Sequence, residues 1–412
     1  MFSARLCVYT TLVSDIKMNV TIVGQGYVGL PLAMAACAAG YTVFGLDQNK
    51  DKITVLQGGK STIGDVDDGE VRRYLDKKTY FPTTESQKIS LSQIILLCVP
   101  TPLDEFGRPD LNFLLEATKT VAKKLTKGSL VVIESTIAPG TCRDFLYPLL
   151  ITESRLTHGE FFFAYSPERI DPMNKQWTIT NTPKLIAGID QASINKAKDF
   201  YLKFISSVHE CPTLEVAETA KLLENTFRFV NISMVNELLI ICQKIGVNLN
   251  EVIQAAATKP YGFMPFYPSI GIGGHCIPVD PMYLSNKANE MGARTRFIDL
   301  ANQINQEMPN YFIGRAEEIL NSLDGKEILV VGVAYKPNVG DVRETPVQAL
   351  VTGLRSKGAQ VAWHDDLVNE WNNEKSVELK NGYDLAIIAT PHSYLDLLKL
   401  GDTPILDTRM SI

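Results

Sequence analysis

MNVTIVGQGYVGLPLAMAACAAGYTVFGLDQNK, residues 18–50, is the stretch on which the fold turns. A β-rich apolar run from Val20 to Val23 leads into glycines at 24, 26 and 29. An alanine-rich helical stretch follows, and a second β-rich run ends at Asp47. GxGxxG alone is a weak signal. Between a strand and a helix, with an acid 18 residues after its last glycine, it specifies a dinucleotide-binding βαβ unit. Gly24 allows the tight turn, Gly26 leaves room for the pyrophosphate and Gly29 lets helix and strand pack closely, while the helix N-terminus offers unpaired N–H groups to phosphate. Asp47 can accept hydrogen bonds from a ribose diol and would repel a 2′-phosphate, so the expected cofactor is NAD rather than NADP.

Working outward, strand-like runs recur at the spacing of a doubly wound sheet: IILLCVPTP (94–102), SLVVIEST (129–136) and FFFAYSPER (161–169). Ligands of such sheets sit beyond the carboxyl ends of the strands, where Thr101, Thr136 and Glu168 fall. Any one of them alone reads equally as a turn or cap residue; their joint placement makes them site candidates. Beyond Cys211 the period becomes helical for some thirty positions up to Gly246, and Lys221 and Asn225 lie four apart on one helix face. That helix is long enough to span domains and to offer a dimer face. After Pro309 a fresh helix is expected (NYFIGRAEEILNSL), then a second α/β unit without GxGxxG. The loop after its first strand, YKPNVGDVRETP, holds Lys336 and Arg343, two cations suited to a phosphate ligand. The expected fold class is α/β: two Rossmann-like, doubly wound parallel-sheet domains joined by a central helical domain with a long helix. The corresponding division is an N-terminal extension 1–17, a cofactor domain 18–208, a central domain 209–310 and a C-terminal domain 311–412.

Composition bounds the function. The 412 residues suit two or three domains, and a net charge of −6 without a basic block argues against a nucleic-acid binder. No apolar run reaches the roughly 18 residues needed to cross a bilayer, so no integral membrane association is expected. LCVYTTLV near the start meets Asp15 and Lys17 with no AxA-like site; it reads as an extension before an internal start at Met18, not as a secretory signal. A cytoplasmic location follows from this reading. The seven cysteines are widely spaced with no CxxC pair, which suggests neither a disulfide framework nor a zinc site, and no metal is expected. Five of them read as small apolar packing groups.

Cys276 is different, because GIGGHCIPVDP (271–281) surrounds it with glycine and proline and so presents its thiol on irregular backbone. A nucleotide-dependent dehydrogenase that stops at an aldehyde needs a base but no thiol. One that proceeds to an acid needs a covalent step, since hydride leaves readily from a thiohemiacetal and the resulting thioester can be hydrolysed. His275, next in sequence, reads first as a substrate contact or packing residue; as an imidazolium it would instead stabilise a thiolate.

Eight ordered motifs, GQGYVGLPLA, CVPTPLDEFGRPDL, ESTIAPGT, YSPERIDPMNK, ETAKLLENTFR, GIGGHCIPVDP, GVAYKPNVGDVRETP and YDLAIIATPHS, together resemble the UDP-glucose and GDP-mannose dehydrogenases from Met18 to Arg409. KPYGFMPFYP, GGHCIPVDPMYL and TRFIDLANQINQEMPNY look most like the branch acting on UDP-N-acetylglucosamine; UDP-glucose and UDP-N-acetylmannosamine are the alternatives. The resemblance implies a UDP-sugar substrate oxidised at its 6-hydroxyl by two NAD, a homodimer or higher homo-oligomer, and a role in surface polysaccharide synthesis. It makes Cys276 the nucleophile, Lys221 and Asn225 the oxyanion stabilisers, and Asp280 the partner of Lys221 in handling the first proton through a water. Glu168 is then the base of thioester hydrolysis and Thr136 orders its water. Residues Glu168 to Pro172, with Arg169, and the loop 266–274, with Tyr267 and Gly273, hold the sugar and diphosphate, Lys336 lies on the nucleotide side and Arg343 reaches the cofactor. Ser269, Ile270 and Gly271 replace the GPG common in the branch and resemble the UDP-glucose enzymes instead, and Asn286 stands where an aromatic residue is frequent; both lie near the expected sugar site and count against the N-acetylglucosamine assignment. A two-electron hydroxyacid dehydrogenase of similar plan would need neither Cys276 nor the second α/β unit.

Overall fold

The computed structural model describes residues 18–171, 174 and 176–409. The extension expected over 1–17, with Cys7, and Pro172 of the substrate loop lie outside the described residues.

The first sheet has eight strands: β1 (Asn19–Val23), β2 (Thr42–Leu46), β3 (Tyr80–Thr83), β4 (Ile94–Leu97), β5 (Leu130–Ile133), β6 (Phe162–Tyr165), β7 (Lys184–Gly188) and β8 (Val208–Glu210). Their order is β3-β2-β1-β4-β5-β6-β7-β8, and every pair is parallel except β6 with β7. The expected parallel sheet is therefore mixed at one pair, a departure with consequences for the site. Strands β4 and β5 are apolar at every position because helices cover both faces of the sheet. Strand order reverses between β1 and β4, which opens the crevice where such sheets bind ligands.

The second sheet comprises β9 (Glu327–Val331), β10 (Gln360–His364), β13 (Leu385–Ile388) and β14 (Ile405–Asp407), all parallel in the order β10-β9-β13-β14; a small antiparallel pair, β11 (Glu370–Trp371) and β12 (Glu374–Lys375), lies apart from it. Asp365, just past β10, is the counterpart of Asp47 just past β2. Its carboxylate accepts the N–H groups of Val333, Ala334, Leu367 and Val368 and the Nε2–H of His392. Five donors exhaust the lone pairs of a carboxylate, so this acid is built into the fold and has none left for a ribose.

The 32-residue helix Leu214–Ile245 joins the two halves. Thr213 caps it by accepting the Val216 N–H, and Gly246, at φ +71°, ends it. Leu214 and Ala217 pack in the core under the first sheet, whereas Val235, Leu239 and Cys242 pack in the core under the second. At 1.5 Å per residue the rod is about 48 Å long. Glu218, buried one turn from its start, accepts the backbone N–H groups of Gly140 (2.6 Å) and Cys142 (2.9 Å) in the loop after β5.

The helix expected to begin after Pro309 instead runs unbroken from Arg296 to Leu320 with Pro309 inside it, and the 310/311 division falls within this helix. Sequence favours a break there because proline removes the hydrogen bond to the carbonyl four residues back. Burial of Met308, Phe312, Ile313 and Ala316 in the second core outweighs that loss. The carbonyl that forfeits its partner belongs to Asn305, and the glycine-rich loop docks at this point: the Asn305 side chain accepts the Ile272 N–H and donates to the Ile272 carbonyl.

Replacing Glu218 with alanine strands two buried N–H groups, at about 1–3 kcal/mol each. The melting midpoint is expected to fall by ~5 °C or more; an unchanged midpoint in calorimetry would show that the helix needs no such anchor.

Candidate active site

The glycines of the first loop are fixed by contact. A Cβ on Gly24, at φ +93°, would lie 2.5 Å from the Cys98 carbonyl oxygen, and one on Gly29 would lie 1.8 Å from that of Gly24. A Cβ on Gly26 would meet nothing within 4 Å, so the space beside this backbone is open, as a pyrophosphate requires. Asp47 accepts the Gln25 N–H (2.9 Å), the Asn49 N–H (3.0 Å) and Lys52 Nζ (2.8 Å), and although burial opposes it these donors hold the carboxyl below its usual range. Gln25, fully buried between the first two glycines, donates to the Ile22 carbonyl and accepts the Tyr80 hydroxyl.

The loop leading to Cys276 is without helix or strand from residue 259 up to the turn that starts the helix Asp280–Glu290, as its glycine and proline content predicts. Gly273 and Gly274 allow the second α/β unit to come close: a Cβ on Gly273 would lie 2.6 Å from the Glu344 carbonyl oxygen, and one on Gly274 2.8 Å from the Tyr335 ring. The Cys276 carbonyl accepts the N–H groups of Val279 (3.2 Å) and Asp280 (2.8 Å). One turn of helix thus separates the thiol from Asp280, which explains a cysteine and an aspartate four apart. Asn225 Nδ2 donates to Asp280 Oδ2, and Lys221, buried one turn earlier on the long helix, acts on both Asp280 and Cys276. Burial pushes the Asp280 carboxyl up to about 6 despite Lys221 and Asn225. It pushes the Cys276 thiol up to about 11, with a further rise from Asp280, while Lys221 and Arg343 oppose it. The residue retains exposed surface, whereas the thiol itself is desolvated. Desolvation, and then Arg343, draw the His275 pKa below its usual value, which disfavours an imidazolium beside the thiol.

Glu168 stands past the end of β6. Its Oε1 accepts the N–H groups of Arg169 (2.6 Å) and Ile170 (2.7 Å), and Lys184 lies 3.5 Å from Oε2. Glu168 acts electrostatically on Cys276, and Arg169 beside it pairs with Glu224, which ties this strand end to the long helix. Thr136 is tied in through its carbonyl, which accepts the Thr101 hydroxyl, and the Thr101 carbonyl accepts Tyr283 Oη–H. The Arg169 guanidinium turns to Glu224 on the long helix (2.7 Å) and to the Pro183 carbonyl. Lys336 pairs with Asp171 across the domain boundary at 2.6 Å. Arg343 pairs with Asp341 at 2.5 Å and lies 4.9 Å over the ring of Tyr27, inside the cofactor loop. Tyr267 is 54% exposed.

Three family models match in succession: the NAD binding domain of the UDP-glucose/GDP-mannose dehydrogenase family over residues 18–205, its central domain over 215–307 and its UDP binding domain over 329–411. The chain belongs to this family. It is similar to the UDP-N-acetyl-D-glucosamine 6-dehydrogenase of Pseudomonas aeruginosa, with 35% identity over 91% of each chain. It is also similar to the UDP-N-acetyl-D-mannosamine dehydrogenase of Pyrococcus horikoshii, 34% identical over 91% of this chain and 90% of the other. The solved structure of a UDP-D-ManNAc dehydrogenase from P. horikoshii superposes with a TM-score of 0.87 at 31% identity, covering 95% of both chains. The chain is an NAD-dependent UDP-sugar dehydrogenase, an oxidoreductase.

Sequence reasoning passed over Gln25, Glu218, Glu134 and Lys184. Glu134 opens the motif ESTIAPGT two residues ahead of Thr136, and Lys184 sits in TPKLIAGID with nothing local to mark it. A thiol at about 11 against the ordinary ~8.5 leaves far less thiolate at neutral pH. Alkylation of Cys276 by iodoacetamide should therefore be slow at pH 7 and still rising above pH 9, and slower again in Lys221→Met. A rate that levels off near pH 8, followed by peptide mass spectrometry, would contradict this.

Proposed function

We propose that the enzyme oxidises the 6-hydroxyl of UDP-N-acetylglucosamine to the carboxylate in two NAD-dependent steps, four electrons in all, through a covalent adduct on Cys276. The observation that carries this reading is the single helical turn joining Cys276 to Asp280, set against Lys221 and Asn225 of the long helix and within electrostatic reach of Glu168.

Gly24, Gly26 and Gly29 would hold NAD with its ribose on Asp47, and the bound cofactor would supply the hydride acceptor for carbon 6 at each oxidation. In the first oxidation Asp280, with Lys221, receives the hydroxyl proton through a water. Asp280 passes its proton to solvent through the water, Cys276 adds to the aldehyde carbon while its own proton goes by the same water to Asp280, and Lys221 and Asn225 steady the oxyanion. The second oxidation leaves a thioester. Glu168 takes a proton from a water ordered by Thr136, the hydroxide adds to the thioester carbon, the C–S bond breaks and the Cys276 sulfur leaves to be reprotonated. Lys336 and Arg169 would serve the substrate only after exchanging their partners Asp171 and Glu224, and Arg343 reaches the cofactor from its position over Tyr27. Gly273 and Tyr267 line the substrate loop in this reading.

For the sugar, the relatives named for UDP-N-acetylglucosamine and for UDP-N-acetylmannosamine lie at similar distance. The two departures near the sugar loop have local uses: Ser269 donates its N–H to Asn236 and its hydroxyl to the Gly271 carbonyl, and Asn286 donates to the Gly107 and Met282 carbonyls. The six cysteines of the described residues are all free, in keeping with a reducing cytoplasm, and among those residues no helix is long and apolar enough to cross a membrane. The uronate would feed a surface polysaccharide. Leu223, Phe227, Met234, Ile241 and Ile245 are exposed along one side of the long helix at four- and seven-residue spacing, which suits a homodimer packed along it.

Limiting UDP-N-acetylglucosamine should yield two NADH per molecule, with Cys276→Ser losing net turnover; a yield of one that survives the substitution would exclude the covalent route. UDP-N-acetylmannosamine and UDP-glucose are expected to react more slowly. A base with a pKa of about 6 is ionised above that pH and protonated below it. The first oxidation, followed in single turnover, should therefore fade as the pH drops through 6, not near 4, and Asp280→Asn should remove that limb. In sedimentation, wild type should run as a dimer and Phe227→Glu/Met234→Glu as a monomer; an unaltered wild-type mass would place the interface elsewhere.

A further inference from the structure

The lone antiparallel pair of the first sheet has a chemical result. Tyr165 of β6 stands opposite Ala187 of β7; continued three residues further, this register sets Lys184 opposite Glu168. Lys184 is buried, and its ammonium lies 2.6 Å from Glu134 and 3.5 Å from Glu168, with a 3.4 Å contact to the Pro167 carbonyl. Glu134 is itself buried directly after β5, two residues before Thr136, and its other oxygen accepts the hydroxyl of buried Tyr201. The Lys184 ammonium also lies 5.2 Å over the Tyr201 ring. A parallel β7 would have carried Lys184 to the opposite edge of the sheet, far from Glu168.

The arrangement is costly as mere packing. Three ionisable groups are taken out of water in one cluster, where apolar side chains of the same size would serve stability as well or better. Burial lifts Glu134 to about 7, Lys184 pulling it back and Glu168 raising it again. Burial would also lower Lys184, but Glu134 and Glu168 more than offset this, so the lysine remains charged. The ammonium is thus the fixed charge of the cluster. Its nearer partner is Glu134; its farther partner is the carboxylate oxygen of Glu168 not held by the Arg169 and Ile170 N–H groups.

We infer that Lys184, held in place by Glu134 and Tyr201, is a positioning residue for thioester hydrolysis: it fixes the free oxygen of Glu168 on the side of Thr136. The inference rests on the reading of Glu168 as the hydrolytic base. Lys184 does not touch the substrate. Its ammonium keeps the Glu168 carboxylate in one orientation, and the contact at 3.5 Å is long enough to leave Oε2 a lone pair for the water. Because Glu134 and Thr136 leave β5 together, the same strand end that anchors the lysine also places the residue assigned to order that water.

The test separates the two oxidations from the hydrolysis that follows. Wild type, Lys184→Met, Lys184→Arg, Glu134→Gln and Glu168→Gln are mixed rapidly with NAD and the UDP-sugar that the wild type turns over fastest. NADH is recorded, and quenched samples are weighed for an acyl adduct on Cys276. Lys184→Met should keep a first NADH burst within about threefold of wild type while steady-state turnover falls ~10–100-fold, the range expected for a misplaced catalytic group. Its KM should change little, and the thioester should accumulate. Lys184→Arg should recover most of the turnover, and Glu134→Gln, which keeps the shape of the cluster, should show the same split more weakly; it decides the matter if Lys184→Met does not fold. Burst and turnover falling together, or wild-type turnover in folded Lys184→Met, would overturn the inference. Glu168→Gln tests the underlying reading separately. If it accumulates no thioester, Glu168 is not the hydrolytic base; if it does and Lys184→Met does not, only the role of Lys184 fails.

Discussion

A buried carboxylate, Glu218, ties the long helix to the loop that leaves β5, and the site is laid out from that tie. Glu218 accepts two backbone N–H groups there, fixing both the axial position and the rotation of the helix relative to the first sheet. Lys221 and Asn225 follow three and seven residues later, hence on the same face, and so their height above the sheet is set before any contact of their own. The same helix enters the core of the second unit through Val235, Leu239 and Cys242. One rigid rod thus shares its position between two cores, and a group anchored at its start is held relative to both.

The second half reaches the site by close backbone approach. Gly271, Gly273 and Gly274 bring the loop before Cys276 against Tyr335, Glu344 and Pro346, and Asn305 clasps Ile272 from the helix that Pro309 has deprived of one hydrogen bond. A side chain at any of those glycines would force the loop away from the second unit. Arg343 and Lys336 then extend from that unit to Tyr27 and Asp171 of the first. Cofactor loop, thiol and second unit are therefore linked by contacts that cross every boundary between the domains.

Electrostatically the site keeps its reactive groups in their uncharged or poorly hydrated forms. The thiol is raised by burial and by Asp280, while Lys221 supplies the opposing charge. In the proposed mechanism the thiol is the nucleophile; kept protonated at rest it is protected from oxidation and alkylation, and it becomes strong only where a cation and an acceptor carbon are both at hand. Asp280 at about 6 is close to the balance of charged and neutral states that the proposed proton transfer calls for.

Much of this was legible in the chain. The strand–GxGxxG–helix–strand–Asp47 unit, the long helix, the irregular Cys276 loop and the second α/β unit all follow from local rules: glycine where backbone must approach, apolar period where a face is buried, four-residue spacing where side chains share a helix face. Such rules act between near neighbours in sequence, so sequence carries them. Three features lay beyond it. Pro309 did not end its helix, because the burial of Phe312 and Ile313 depends on partners over twenty residues away. His275 beside the thiol was no guide to its charge, because Lys221 and Arg343, distant in sequence, are the cations that reach it. Lys184 and Glu134, fifty residues apart, carry no motif between them; the antiparallel turn of β7 alone brings them to Glu168. Sequence by itself determined the elements and the reactive residue types, which depend on local conformation and on side-chain chemistry. Tertiary structure decided which charges face one another, because electrostatic strength depends on distance and burial, and both are set only when the chain has folded.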